Sequence, residues 1–258
     1  MPKFFVDKEQ IKDKEIIILG QDVKHISKVL RAQVGDELQI GNGQTGENFL
    51  CKIQKISENE VICDIIEKIE KTVDSNIKIT VFQGLPKSDK MELIIQKSVE
   101  LGAFDITPTE MKRCVSKLDE KDKVKKIQRW QKIAESAAKQ SGRDYIPQIN
   151  NVINIAEVCK IIDNYDIILV SYEQERSNTL KQQLYQLKDK ENLKIGIIIG
   201  PEGGLEKEEV DKLEQSGAKI ITLGKRILRT ETAALNILSI IMYELERWIC
   251  HKWTKMSN

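Results

Sequence analysis

The sequence predicts an α/β protein in two parts, a small N-terminal β-barrel over residues 1–72 and a larger parallel α/β domain over 73–258. Three observations predict it. Short Ile-, Val- and Phe-rich runs separated by turn signals fill the first part. After about residue 73 strand-like runs alternate with helical periods, the grammar of βα units on a parallel sheet. Near the C-terminus two successive strands each run into a glycine-containing loop.

In the first part the predicted strands are Glu15 to Leu19, Glu37 to Ile40, Asn48 to Ile56 and Glu60 to Ile69, with turns at Gly41-Asn42-Gly43 and Ser57-Glu58-Asn59 and a short helix over Val23 to Leu30. In the second part Ile77 to Gln83 reads as a strand. Ser88 to Leu101 reads as a helix with Met91, Ile94, Ile95 and Val99 on one face, stopped by Gly102. A longer helix covers 119–141, with Val124, Ile127, Ala134 and Ala138 expected inward. Ile167 to Val170 is a strand and Asn178 to Leu187 a helix. Ile195 to Ile199 is continuously apolar, as a strand covered on both faces must be. It leads into Gly200-Pro201-Glu202-Gly203-Gly204-Leu205 and a helix with Glu206, Glu208 and Glu209 in its first turns, where negative charge suits the helix dipole. Lys219 to Leu223 is the last strand, followed by Gly224 to Thr230 and a helix from about Glu231 to Trp248, apolar on nearly every side and therefore buried.

Composition excludes several classes. The 258 residues are 40% hydrophobic and 31% charged, ordinary for a soluble globular protein. No apolar run approaches the roughly 20 residues that span a bilayer, and the N-terminus has no signal-peptide stretch, so a cytoplasmic protein with no membrane partner is expected. Five cysteines without a CxxC and only two histidines, His25 and His251, argue against a disulfide framework or a metal site. Net charge is +1, yet residues 112–143 hold eleven Lys or Arg against four Asp or Glu. That segment is a candidate phosphate-facing stripe, with Arg113, Lys117, Lys126, Arg129 and Arg143 as candidate RNA contacts. The first 72 residues carry eleven basic and thirteen acidic side chains, so shape recognition fits them better than general polyanion binding.

The chemistry should sit at the paired glycine loops. Ligands of open α/β sheets bind at the carboxyl ends of strands, and glycine lets main chain approach a ligand closely. Two such loops side by side can clamp a flat purine. A Walker loop is absent, because from Gly200 its second glycine would fall at Leu205; G-x-G-x-x-G, G-x-S-x-G and H-E-x-x-H are absent too.

The stretch Ile199 to Leu205, followed by Leu223-Gly224-Lys225-Arg226-Ile227-Leu228-Arg229-Thr230-Glu231-Thr232-Ala233, resembles the signature of SPOUT-class ribosomal RNA methyltransferases, and within them the RsmE family. Phe4-Phe5-Val6, His25 to Arg31 and Gly35-Asp36 resemble that family's PUA-like barrel. Lys87 to Lys90 with Lys97 to Gly102, then Arg129-Trp130, Ala134-Glu135 and Gln140 to Arg143, resemble its catalytic-domain helices. The resemblance implies a PUA-like barrel followed by a SPOUT domain with a C-terminal trefoil knot within about 195–248, a homodimer, and S-adenosylmethionine-dependent methylation of N3 of a uridine in 16S rRNA or the small ribosomal subunit. By motif position it implies cofactor contacts at Gly200, Pro201, Glu202, Gly203, Gly204, Leu223, Gly224, Ile227, Leu228, Thr232 and Ala233, with a third stretch near Leu169 and Tyr172. Lys3, Arg31, Lys87 and Arg226 join the candidate RNA contacts; Lys3 stands where an arginine is expected and lacks its bidentate fork. Arg229 is the candidate for stabilising charge on the uracil oxygens or holding a phosphate, since a guanidinium cannot act as base; Glu231, which equally fits a helix cap, and water are the options for taking the N3 proton. No metal is required. A non-catalytic rRNA-binding assembly factor, or a SPOUT methyltransferase acting on another base or a ribose, are the alternative readings.

Overall fold

Alternation of apolar and polar residues sets the first sheet. The computed structural model describes residues 1–246 apart from 71, 88, 116 and 117. Its strands are β1 (Lys3–Phe5), β2 (Glu15–Leu19), β3 (Glu37–Gly41), β4 (Asn48–Ile56) and β5 (Glu60–Lys68), in the order β1-β3-β4-β5-β2. Ile16 and Ile18, Leu38 and Ile40, Cys51 and Ile53, Val61 and Cys63 all point to one face and pack with Phe4, Val23 and Ile26. Among the described residues no ladder joins β1 to β2, so the expected barrel is a half-barrel. β1 was not expected; it pairs parallel with β3, a contact with no local signal. The helix expected over Val23 to Leu30 is instead one α-turn, α1 (Gln21–Lys24), continuing into a π-helical turn over His25–Val29. Burial pushes the Cys51 and Cys63 thiols up to about 12, so both are inert packing groups.

The chain forms two compact units. Residues Met1–Asp74 and Gln131–Gln148 make one; Ser75–Trp130 and Ile149 onward make the other. Residues 131–148, placed by chain order in the second domain, thus pack with the half-barrel.

The second unit is a mostly parallel sheet with helices. Its strands are β6 (Lys78–Gly84), β7 (Asp105–Glu110), β8 (Gln148–Ile149), β9 (Ile153–Asn154), β10 (Ile167–Ser171), β11 (Lys194–Ile199) and β12 (Lys219–Ile221). The order is β12-β10-β11-β6-β7-β8, with β9 also on β7. Its helices are α2 (Lys90–Glu100), α3 (Glu120–Ser141, running on past this unit), α4 (Ile155–Lys160), α5 (Leu180–Tyr185), α6 (Lys207–Gln215) and α7 (Thr230–Leu245). Phe82, Ile168, Val170, Ile198 and Ile220 form one core with α4 and α6. On the other face α2 packs against α7, and α7 lies on β11 and β6. β11 is apolar throughout because both of its faces are covered. β7 was missed, since Pro108 interrupts it. Val124, expected inward, is exposed; Trp130, Ala134, Ala137 and Ala138 are the buried positions of α3. Trp248, the expected end of α7, lies outside the described residues, as do Cys250 and His251.

Candidate functional site

The parallel register makes one level edge. Ser171 pairs with Ile199 on one side and Ile221 on the other, and Ile199 pairs in turn with Gln83. Strands β12, β10, β11 and β6 therefore end together, and the turns after them open at the same edge of the sheet. A cavity of about 630 Å³ sits there, walled by residues 171–173 and Arg176, 199–204, and 222–230, with Lys90 and Ala233. This is the size range of a small-molecule or cofactor pocket.

Main chain forms much of the wall, and specific contacts hold it. At Gly200 a Cβ would stand 3.0 Å from the carbonyl carbon of Gly204, so a side chain there would press on the main chain that closes this turn. The Gly204 N–H donates to the Pro201 carbonyl at 2.9 Å. Glu202 accepts from the Lys87 N–H at 3.1 Å and meets the Lys90 ammonium at 3.1 Å. Burial works to raise the Glu202 pKa, but backbone N–H groups and Lys90 outweigh it and hold the carboxyl below its usual range. The hydrogen bond that Lys90 donates to Glu202 in turn keeps Lys90 cationic above the usual lysine value.

The other two walls are ordinary turn chemistry. In the loop after β12 the Gly224 N–H donates to Thr222 Oγ1 at 3.2 Å. After β10, the N–H groups of Asn178 and Ser177 bring the Glu175 carboxyl down to about 2. That turn carries Arg176, whose guanidinium donates to the Glu173 carbonyl at 2.7 Å. Asn178 also donates to the Ile220 carbonyl at 2.6 Å, tying the turn after β10 to β12.

The expected cofactor residues fall into two groups. Tyr172, Gly200, Pro201, Glu202, Gly203, Gly204, Leu223, Gly224, Ile227, Leu228 and Ala233 line the cavity. Leu169 is buried within β10 and Thr232 is exposed on α7; neither lines it. Arg229 stands on the wall as the residue preceding α7, while Glu231 lies 3.5 Å from Lys90. Lys90, Glu173, Arg176, Thr222, Lys225 and Thr230 complete the lining and were not singled out from sequence. Thr230 carried a signal, a hydroxyl residue at the start of a predicted helix.

The cations expected to meet RNA also divide. Lys3 is not a surface group: it is ion-paired with Asp144, and both side chains are under 5% exposed. Arg143 is buried against Asp74 at 2.6 Å. Arg113 braces the first glycine loop, donating to the Gly203 carbonyl and to Glu206, both at 2.8 Å. Arg129 pairs with Glu92 at 2.7 Å, and Lys126 lies over the Trp130 ring. Lys87 and Arg31 are exposed, the latter in the left-handed region at φ 53°. Arg226 is exposed on the cavity rim. Lys117 lies outside the described residues. Among the described residues, Lys225, Arg226 and Arg229 have no carboxylate partner, and no group of three or more His, Cys, Asp or Glu side chains comes together.

A main-chain-walled cavity at the carboxyl edge of a parallel sheet, rimmed by unpaired cations, is a form expected of RNA-modifying enzymes. The RNA methyltransferase domain family matches residues 73–242, and the RNA methyltransferase PUA domain family matches 18–66. Ribosomal RNA small subunit methyltransferase E of Bacillus subtilis is 37% identical over 251 residues, 95% of this chain and 98% of that protein. The Mesomycoplasma hyopneumoniae enzyme of the same name is 34% identical over 93% of this chain and 98% of its own. The crystal structure of the Neisseria gonorrhoeae enzyme of that name, bound to S-adenosyl methionine, superposes with a TM-score of 0.83 at 27% identity, over 94% of this chain and 97% of that one. The chain belongs to the ribosomal RNA small subunit methyltransferase E family.

Proposed function

We propose that this protein transfers a methyl group from S-adenosylmethionine to N3 of a uridine in small-subunit ribosomal RNA. The observation that carries the reading is the level edge of β12, β10 and β11, with its cavity walled by the two glycine loops. The donor set fits the cofactor. Main-chain groups of residues 200–204 and 222–228 suit the edge of an adenine, and the close-packed turn at Gly200 keeps main chain on the cavity wall. The related Neisseria gonorrhoeae structure holds S-adenosyl methionine. When bound, the cofactor supplies an already activated methyl group, so the protein's task is positioning and electrostatics.

The neutral uracil carries a proton on N3, and as the N3–C bond forms at the expense of the methyl–sulfur bond, with a neutral thioether as leaving group, that proton must leave. Negative charge gathers on the flanking carbonyl oxygens. Arg229, on the wall and without a carboxylate partner among the described residues, stabilises that charge. Glu231, beside Lys90, takes the proton. N3 lies on the pairing edge of the base, so the target nucleotide is unpaired or extruded when it reacts. Arg226 and Lys225 on the rim, with Lys87, grip its backbone; Arg31 and Lys126 are further contacts. The chain is read as acting in the cytoplasm, as a homodimer. A trefoil knot is supported by the pairing of β12 with β10 rather than with β11, and by the bond from Asn178 to Ile220.

Mass spectrometry of digested small-subunit rRNA from cells with and without the gene tests the reading. A 3-methyluridine that vanishes without the gene and returns on incubation with protein and S-adenosylmethionine is expected. Loss of a different methylated nucleoside would overturn the base assignment, and no loss would overturn the enzyme.

A further inference from the structure

We propose that Gln83 is a positioning residue of the methyl-transfer site, acting through Thr230. The inference rests on the methyltransferase reading above. Gln83 follows the apolar pair Val81 and Phe82 in β6, and it is wholly buried. Burying an amide is costly unless it is hydrogen-bonded, so its partners matter. Its Nε2 donates to the Gly84 carbonyl and to Thr230 Oγ1, each at 2.9 Å. The Thr230 hydroxyl in turn donates to the Gly200 carbonyl at 2.7 Å.

The direction of this chain is fixed. A carbonyl can only accept, so the single hydroxyl proton goes to Gly200, and the Thr230 oxygen must receive its other bond from a donor. The Gln83 amide supplies it. The Gln83 Oε1 has no hydrogen-bond partner among the described residues. The side chain is therefore held by its donor end. A carboxylate in its place would draw the Thr230 proton to itself and orphan the Gly200 carbonyl.

The two links beyond Gln83 are pocket walls. Gly200 opens the first glycine loop, and Thr230 is the first residue of α7, directly after Arg229. Three segments remote in sequence are joined by one run of buried hydrogen bonds. That run sets where the Arg229 main chain stands relative to the loop that holds the methyl donor. Each glycine loop retains its own internal bond, Gly204 N–H to Pro201 and Gly224 N–H to Thr222. Breaking the run thus displaces Arg229 while leaving the cofactor loops closed.

The test is steady-state kinetics of methyl transfer to unmodified small-subunit RNA, with thermal melting on the same samples. For Gln83→Glu and for Thr230→Val, which adds no charge, kcat is expected to fall by about 10- to 100-fold, the scale of a small misplacement. The KM for S-adenosylmethionine should stay within about threefold, since its loops keep their own bonds. Thr230→Ser keeps the hydroxyl and should restore turnover. Gln83→Met combined with Thr230→Val should be about as slow as either alone, because both cut one chain. Lower melting temperatures with an unchanged kcat per folded molecule would overturn the inference and leave the enzyme reading intact. A wild-type protein that transfers no methyl group in the same assay would remove the enzyme reading, and this inference with it.

Discussion

Two sets of cations in this chain look alike in sequence and differ in structure. Residues 112–143 are the most basic stretch, yet Lys112, Arg113, Lys123, Arg129, Lys139 and Arg143 are each spent on a carboxylate within their own compact unit. The loop after β12 carries only Lys225, Arg226 and Arg229, but these have no acidic partner among the described residues and stand on a cavity. Local charge density reports how many cations there are. Whether they can meet a polyanion depends on what long-range packing places beside them.

That contrast can be broken in descending steps. The largest effect belongs to a cation buried by its partner. Lys3→Ala leaves Asp144, among the described residues of the first unit, with only the Thr72 hydroxyl and Val73 N–H. Denaturant unfolding should show a loss of about 3–5 kcal/mol, the cost of orphaning a buried charge; a loss below about 1 kcal/mol would reopen Lys3 as a group free to meet RNA. Arg229→Ala should cut turnover by about 10²–10³-fold, as removal of one charge-stabilising donor does, with cofactor affinity within about threefold. Equal loss in both would move Arg229 from the chemistry to the binding of the cofactor. Arg226→Ala should weaken RNA binding and lower the salt slope by about 1, the mark of one phosphate contact. The smallest effect is expected of Arg129→Ala, which breaks an exposed pair with Glu92 worth about 1 kcal/mol or less. A fall in the salt slope there equal to that of Arg226 would erase the distinction.

Legibility followed the range of the interactions. β4 and β11 could be read almost to the residue, because alternation or unbroken apolarity is written locally. β1 and β7 could not: three residues pairing parallel to a distant strand leave no local trace, and Pro108 disguises the other. The glycine loops announced the pocket because close turns demand glycine. Lys90 and Glu173 did not announce themselves, since each reaches the cavity only through the pairing of β6, β10 and β11. The partners of Lys3 and Arg113 leave no local trace for the same reason. Asp144 lies 141 residues from the first, and Gly203 lies 90 residues from the second.

The central claim is that the turns after β10, β11 and β12 hold S-adenosylmethionine. Calorimetric titration of the cofactor into the wild-type protein and into Gly200→Ala tests it most directly, because the added methyl group presses on the Gly204 main chain across that turn. Saturable binding that weakens by about tenfold or more in the variant, about 1.4 kcal/mol or more, is the predicted result. Absence of binding to the wild type, or an affinity that Gly200→Ala leaves unchanged, would contradict it.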